Sequence, residues 1–448
     1  MKNINGRLFG TDGIRGIFGE YPLNTEFIKI IGSYSAFVLK NVFGKDKIFI
    51  GWDTRESSPK IVELLKKTFL DFGYEVYLTN VFPTGGIAYL CKKYSCLGVV
   101  ISASHNPYNF NGIKFISPFG TKISDQIEEK IEENIKRKTK IKKDNKKGNL
   151  IDYSTKAENE YIDFLLDIFG NNINNSFLSL VVDCANGAGC KIAKNIFPKL
   201  VKKCQFVNTS PNGKNINYRC GSTHPQYLKK KIKNNQIGIL FDGDCDRVIF
   251  IDEKKNIRDG DYIIGILASE YKKNKNLKNS LVVVTTMSNL GLLKYLWSKN
   301  IKVIQCPVGD KYVSEYLKSY DGNLGGEQAG HIVLYDYLPT GDGFITTMEV
   351  LKILINNKKP LYKLCKIFDK YPQIIKNVET KDKPSIEEIF DKKFIKDLEN
   401  KIQGRIVLRY SGTEPLFRIM VEGKNKSKIE DIAEVIKKQF LGFVNKKN

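Results

Sequence analysis

The sequence predicts an α/β protein: three similar α/β modules with mixed, largely parallel sheets, followed by a smaller C-terminal α+β domain. Short apolar runs that end in polar or turn residues alternate with stretches of helical spacing up to about residue 368. The same cycle recurs three times at similar length. After residue 369 the pattern changes to paired strands and a closing helix.

In the first module Phe27, Ile30, Ile31, Tyr34, Phe37 and Val38 fall at helical spacing, and KIFIGWD (47–53), EVYLTN (75–80) and LGVVIS (97–102) read as buried parallel strands. The lysine-rich stretch 136–149 is too charged to pack and reads as a linker or exposed helix end. The second cycle has a helix over 156–168, strand 179–183, a helix near 189–200, and strands 237–241 and 247–252. The third has helices over 261–272, 289–299 and 309–318 between strands 281–286 and 302–306, then GNLGGE (322–327) and an apolar helix over 344–356. GRIVLRY, LFRIMVEG and a helix near 427–441 make the last unit. The expected domains are 1–150, 151–252, 253–368 and 369–448.

Hydrophobic residues at 42% and charged residues at 27% are those of an ordinary globular chain. No apolar run is long enough to span a membrane and MKNINGRLFG lacks a signal-peptide core, so a cytoplasmic protein is expected. Nine scattered cysteines without a CxxC are expected to be free thiols, and three histidines do not make a zinc site. The net charge of +23 suggests nucleic acid, but lysine is spread along the whole chain, whereas nucleic-acid binders gather charge in a patch. No specific nucleic-acid partner is expected.

Five segments carry candidate chemistry. VISASHNPYNFNGIKF (100–115) ends a strand in a polar loop, where Ser104 is a candidate nucleophile without a triad. Such a serine suits phosphoryl transfer, with Lys114 placed to meet a phosphate; the alternative is a turn with capping serines. His105 is a poor base for it, because adjacent side chains rarely face each other. FDGDCDR (241–247) sets Asp242, Asp244 and Asp246 at alternate positions, and carboxylates this close need a cation, best Mg²⁺. An EF-hand is the first rival, but Arg247 stands where its glycine belongs and the flanks are strands. A haloacid-dehalogenase-like nucleophile would have Thr or Val at Asp246. RYSGTEPLFR (409–418) offers Ser411, Gly412 and Thr413 as an amide nest flanked by Arg409 and Arg418, suited to a phosphate or to a plain turn. GGEQAGHI (325–332) sets Glu327 and His331 four apart, a carboxylate and an imidazole that can grip vicinal sugar hydroxyls, the alternative being a structural histidine. FGTDGIRG (9–16) holds Asp12 and Arg15 among glycines in what resembles another anion-handling loop.

In this order, together with DCANGAG (183–189), NINYRCGSTHP (215–225), TMSNLG (286–291) and VGDKYV (308–313), these segments resemble the α-D-phosphohexomutase superfamily over nearly the whole chain. GGEQAGH, SGTEP and VGDKYV point to its bacterial phosphoglucosamine mutase branch. The resemblance implies four domains around a central cleft, each giving one loop. Ser104 would be a phosphoserine that, with Asp242, Asp244 and Asp246, holds one Mg²⁺. Glu327 would contact sugar hydroxyls, while Arg409, Ser411, Gly412, Thr413 and Arg418 would hold the non-reacting phosphate. Arg15, Lys114 and Arg247 would stabilise the phosphoryl group, with Lys114 or His331 aiding proton transfer. The implied reaction is an isomerisation of a hexosamine phosphate through a sugar 1,6-bisphosphate, which also serves as activator. A phosphoglucomutase or phosphomannomutase acting on a neutral hexose is the alternative, and a magnesium phosphatase using Asp242 is a further one. The oligomeric state stays open, a homodimer included.

Four departures from the family pattern stand out: Cys245 for a small residue, Ala329 for serine, Lys311 for arginine in VGDKYV, and PTGG (83–86) for PTPA. Lys311 gives up an arginine fork at an expected phosphate contact.

Overall fold

The computed structural model describes residues 7–170, 175–380, 382–410 and 415–447. Its first sheet has six strands in the order Ile14–Ile17, Phe110–Ile116, Leu97–Ile101, Lys47–Trp52, Glu75–Val81 and Leu150–Asp152. The last four are mutually parallel, and the two at the other edge are antiparallel. This sheet therefore runs slightly past residue 150. The second has five strands, with Ile237–Phe241 and Asn175–Asp183 parallel at its centre. The third has four, around Leu281–Thr285, and the fourth is an antiparallel set of three in the order Gln373–Glu379, Leu416–Glu422, Arg405–Tyr410.

Local chemistry sets the helix ends. Asn24 accepts from Phe27 N–H at 2.8 Å to start the helix Thr25–Phe43, which Gly44 closes at φ 61°. Asp342 accepts from Phe344 and Ile345 N–H at 2.8 and 3.0 Å, opening Gly343–Asn357. The lysine-rich stretch follows Asp125–Arg137 without regular structure, and Lys143 reaches back to Asp71 at 2.8 Å.

One apolar core runs without a break from Phe49 and Ile87 through Phe197 and Phe241 to Leu292 and Phe344, so the first three units pack as a single body. The fourth keeps its own core, where Phe417 stacks on Phe440 at 4.1 Å between ring centres. Its link to the third unit is polar. Buried Glu422 accepts from Leu290 N–H at 3.0 Å and from Arg405 Nε at 2.6 Å, at the TMSNLG segment. Among the described residues no helix is long and apolar enough to cross a membrane.

Candidate active site

Parallel strands deliver side chains at their carboxyl ends, and two units do so toward one point here. Leu97–Ile101 leads into Ser104, and Ile237–Phe241 leads into the aspartate turn. Ser104 Oγ donates to Asp242 Oδ2 at 2.7 Å and lies 3.4 Å from Asp246 Oδ1, across 138 residues of sequence. The serine is fully buried and sits at φ 50°, a left-handed conformation that a non-glycine residue holds only when its surroundings over-determine it.

Those surroundings are visible. The Ser104 carbonyl accepts from Arg55 Nη2 at 3.0 Å and Asn217 Nδ2 at 2.8 Å, while its N–H donates to Ser102 Oγ at 2.8 Å. Ser102 in turn donates to Asp53, which is paired with Arg55 at 2.8 Å, both side chains being fully buried. Arg55→Met should leave the Asp53 carboxylate buried without its cation, a loss of about 3–5 kcal/mol. The expected outcome is a clearly lower melting temperature by calorimetry, and an unchanged one would show the pair to be dispensable.

Asp242, Asp244 and Asp246 present carboxylate oxygens all within 4.8 Å of one another, and all three are buried. Burial, then Asp246 and Asp244, push the Asp242 carboxyl well above its ordinary range. Burial would raise Asp244 too, but the Lys114 ammonium, 2.8 Å from its Oδ2, holds it below. Asp244 Oδ1 is buried with no hydrogen-bond partner. An all-oxygen donor set with an orphaned carboxylate oxygen fits a divalent cation. Cys245 stands in the turn at φ 61°, which is why a small residue, glycine above all, suits this place.

Cations ring the carboxylates. Lys114, on the strand antiparallel to Leu97–Ile101, also meets Asp12 at 3.0 Å and Asp246 at 3.7 Å. Burial would lower it, but Asp12, Asp244 and Asp246 hold it above its ordinary value, so it stays charged. Arg15 is paired with Asp12 and reaches Asn106 Oδ1 at 3.3 Å. Arg247 donates its N–H to Asp242 at 3.2 Å, and its Nε stands 3.9 Å from Asp246. His105 Nδ1 is 3.4 Å from Ser104 Oγ, so the adjacent ring does face the serine, contrary to expectation. Burial, with Arg247 and Arg15, pushes its pKa down to about 3 and keeps it neutral.

The third unit joins through a bridge between Arg247 and His331. Gly330, at φ 91°, permits it, since a Cβ there would lie 2.3 Å from the Val248 carbonyl. His331 Nε2 accepts from Gly341 N–H at 3.1 Å, and Nδ1 faces Asp246 at 3.8 Å. Glu327 Oε1 accepts from Gly309 N–H at 3.2 Å. In the fourth unit Arg409 and Arg418 are cross-strand partners. Burial and Arg418 lower the Arg409 pKa, and Glu327 opposes that shift. Ser411, Gly412 and Thr413 lie outside the described residues.

Known proteins match this arrangement from end to end. Models of the four phosphoglucomutase/phosphomannomutase domains match residues 6–142 (alpha/beta/alpha domain I), 159–256 (domain II), 259–371 (domain III) and 375–439 (C-terminal domain). The chain belongs to the phosphoglucomutase/phosphomannomutase family. It is 39% identical to the phosphoglucosamine mutase of Geobacter sp. (strain M21), over 97% of this chain and 99% of that one. It is 39% identical to that of Clostridium acetobutylicum, over 96% and 97%. A phosphoglucomutase/phosphomannomutase family protein from Burkholderia thailandensis shares the fold at TM-score 0.77 and 21% identity, covering 97% of this chain and 96% of that one. N-acetylphosphoglucosamine mutase from Aspergillus fumigatus, solved with GlcNAc-6P and magnesium, shares it at TM-score 0.69 and 17% identity, covering 97% and 95%.

Several residues of this phosphohexomutase site escaped the sequence reading. Asp53 and Arg55 clamp the serine loop from outside the motif segments, and Asn217 does so from NINYRCGSTHP, a segment to which no side-chain role had been given. Thr84 donates to Asp244 Oδ2 at 2.8 Å from the start of a helix in the first unit. The PTGG departure has a cause beside it: a Cβ on Gly85 would stand 1.9 Å from Asp342 Oδ2. Lys311 meets Asp125 and, at 3.3 Å, Glu128 on a first-unit helix, so its partners are carboxylates and the expected phosphate contact is corrected. Nothing in the structure explains Ala329.

Proposed function

We propose that this family member is a phosphoglucosamine mutase, interconverting glucosamine 6-phosphate and glucosamine 1-phosphate through a phosphoserine at Ser104 and a glucosamine 1,6-bisphosphate. The observation that carries the reading is Ser104 Oγ, bonded to Asp242 at 2.7 Å inside three buried carboxylates and a cluster of cations. The substrate is supported by full-length relatives of that name at 39% identity. Units 1–150, 151–252, 253–368 and 369–448 would each give one loop to the cleft. The product would supply amino-sugar nucleotide and peptidoglycan precursors.

In the forward direction the bond from phosphorus to Ser104 Oγ breaks as one to the sugar O1 forms. Ser104 is left as an alkoxide that takes the proton given up by the attacking hydroxyl. The bisphosphate then turns over in the cleft, and its 6-phosphoryl group passes to Ser104 Oγ as the bond from phosphorus to O6 breaks, the serine proton going to O6. Arg15, Lys114 and Arg247 spread positive charge around the phosphoryl oxygens in transit. Lys114 serves as a fixed cation, since three carboxylates keep it protonated. Glu327 would accept from sugar hydroxyls, and His331 would hold Asp246 and the third-unit loop in place. Mg²⁺, held by Asp242, Asp244, Asp246 and the phosphoserine, would neutralise charge on the phosphoryl group. Closure of the fourth unit would keep water out. Nine free cysteines accord with a reducing cytoplasm.

The test offers glucosamine 6-phosphate, glucose 1-phosphate and mannose 1-phosphate in parallel, with Mg²⁺ and a trace of sugar 1,6-bisphosphate. Preference for the glucosamine ester is expected. Preference for a neutral hexose would keep the mechanism and replace the substrate. Arg409 and Arg418 should grip the non-reacting phosphate equally in ground and transition states. Arg409→Ala should therefore raise KM by about 10-fold or more with kcat little changed, and a fall confined to kcat would place Arg409 at the reacting group instead.

A further inference from the structure

The charged groups of the site close into a ring. Asp246 meets Lys114 at 3.7 Å, and Lys114 meets Asp12 at 3.0 Å. Asp12 is paired with Lys122, and Lys122 with Asp310. Asp310 Oδ2 faces His331 Nε2 at 3.8 Å, and His331 Nδ1 returns to Asp246 at 3.8 Å. Two members, Lys122 and Asp310, belong to none of the groups assigned above to nucleophile, cation or substrate. Lys122 is the member that bridges the first and third units here, and its side chain is only 8% exposed.

Building on the mutase reading, we infer that Lys122 is a positioning residue. By pairing with Asp310 it keeps that carboxylate off the His331 ring, and by pairing with Asp12 it holds the first-unit loop against Lys114. Asp12 has other partners, Arg15 and Lys114. Asp310 has Lys122 as its ammonium partner, and next to it the His331 ring. Stripped of Lys122, a carboxylate that is 11% exposed would turn to His331 Nε2 and favour the tautomer that carries the ring proton there, which can no longer accept from the Gly341 N–H. The imidazole would then shift relative to Asp246, and with it the carboxylate 3.4 Å from Ser104 Oγ. The Asp310 turn is also tied to the sugar side, because Gly309 N–H donates to Glu327. Arg409 and Arg418, the phosphate grip proposed for the fourth unit, are not members of this ring. Misplacement should therefore act on turnover more than on binding.

The experiment compares wild type with Lys122→Met, Lys122→Arg, Asp310→Asn and the Lys122→Met/Asp310→Asn double variant. Each is assayed on glucosamine 6-phosphate, with Ser104 phosphorylation followed by intact mass. Lys122→Met should lower kcat by about 10- to 100-fold while KM moves less than about threefold and Ser104 stays phosphorylated. Lys122→Arg should recover most of the loss. The double variant should be no slower than Lys122→Met, because the stranded carboxylate has gone. Asp310→Asn keeps size and shape, so it tests the pair even if Lys122→Met does not fold, and its kcat should match the double variant. Unchanged kcat, a rise confined to KM, no recovery with arginine, or losses that multiply would overturn the inference while leaving an active wild type as a mutase. A wild type inactive on every hexose phosphate would instead overturn the mutase reading and this inference with it.

Discussion

Ser104→Ala is expected to abolish mutase turnover, by at least about 10⁴-fold, with no loss of fold. The alanine keeps the Cβ and the left-handed backbone at φ 50° that serine already adopts, so no new backbone strain arises. The carbonyl clamp from Arg55 and Asn217 and the N–H bond to Ser102 involve only the backbone of residue 104 and persist. What goes is the oxygen 2.7 Å from Asp242, and with it the atom that accepts and returns the phosphoryl group. Added sugar 1,6-bisphosphate should not rescue the variant, since bisphosphate can load only an enzyme that has an acceptor. Intact mass should show the phosphate on wild type and none on the variant. Mutase turnover retained in Ser104→Ala would remove Ser104 as nucleophile, whereas phosphate release retained without mutase turnover would favour a phosphatase acting through Asp242.

Asp242→Asn should have opposite effects with and without a divalent cation. In the metal-free protein the Asp242 carboxyl is held well above its ordinary value by burial and by Asp246 and Asp244. A carboxyl raised in the folded state contributes stability at low pH, below its unfolded value, and loses it as pH climbs through its folded value. With chelator present, the asparagine variant should therefore melt higher than wild type, and the gap should widen as pH rises above about 4. Its amide can accept from Arg247 N–H and donate to Ser104 Oγ, so the two existing contacts keep partners. With saturating Mg²⁺ the order should reverse. Cation binding stabilises wild type by about 2.7 kcal/mol at a hundred times Kd, and the variant lacks one ligand. Turnover should drop at least about 100-fold. A wild type that melts at the same temperature with and without Mg²⁺ would remove the cation from this site.

How far the sequence could be read depended on how local each feature was. The strand Ile237–Phe241 and the helix Cys190–Leu200 follow from apolar runs and periodicity over a few residues. The aspartate turn was legible because three carboxylates at alternate positions cannot sit together in a buried turn without a countercharge. Lys311 was misplaced for the opposite reason: its partners, Asp125 and Glu128, lie more than 180 residues away in sequence. His105 was set aside on a rule about adjacent side chains, and the left-handed backbone at Ser104 turns the two toward each other.

Composition, periodicity and turn chemistry by themselves determined three α/β modules and a fourth unit, the polar loop around Ser104 and the acidic turn, because each rests on neighbours in the chain. Only the tertiary structure decided which cations those carboxylates meet. Among 72 lysines and arginines nothing local distinguishes Lys122 or Arg55 from the solvated majority. Their places follow from packing: one continuous core brings the carboxyl ends of strands from different units together, and burial there favours pairing lysines and arginines with carboxylates.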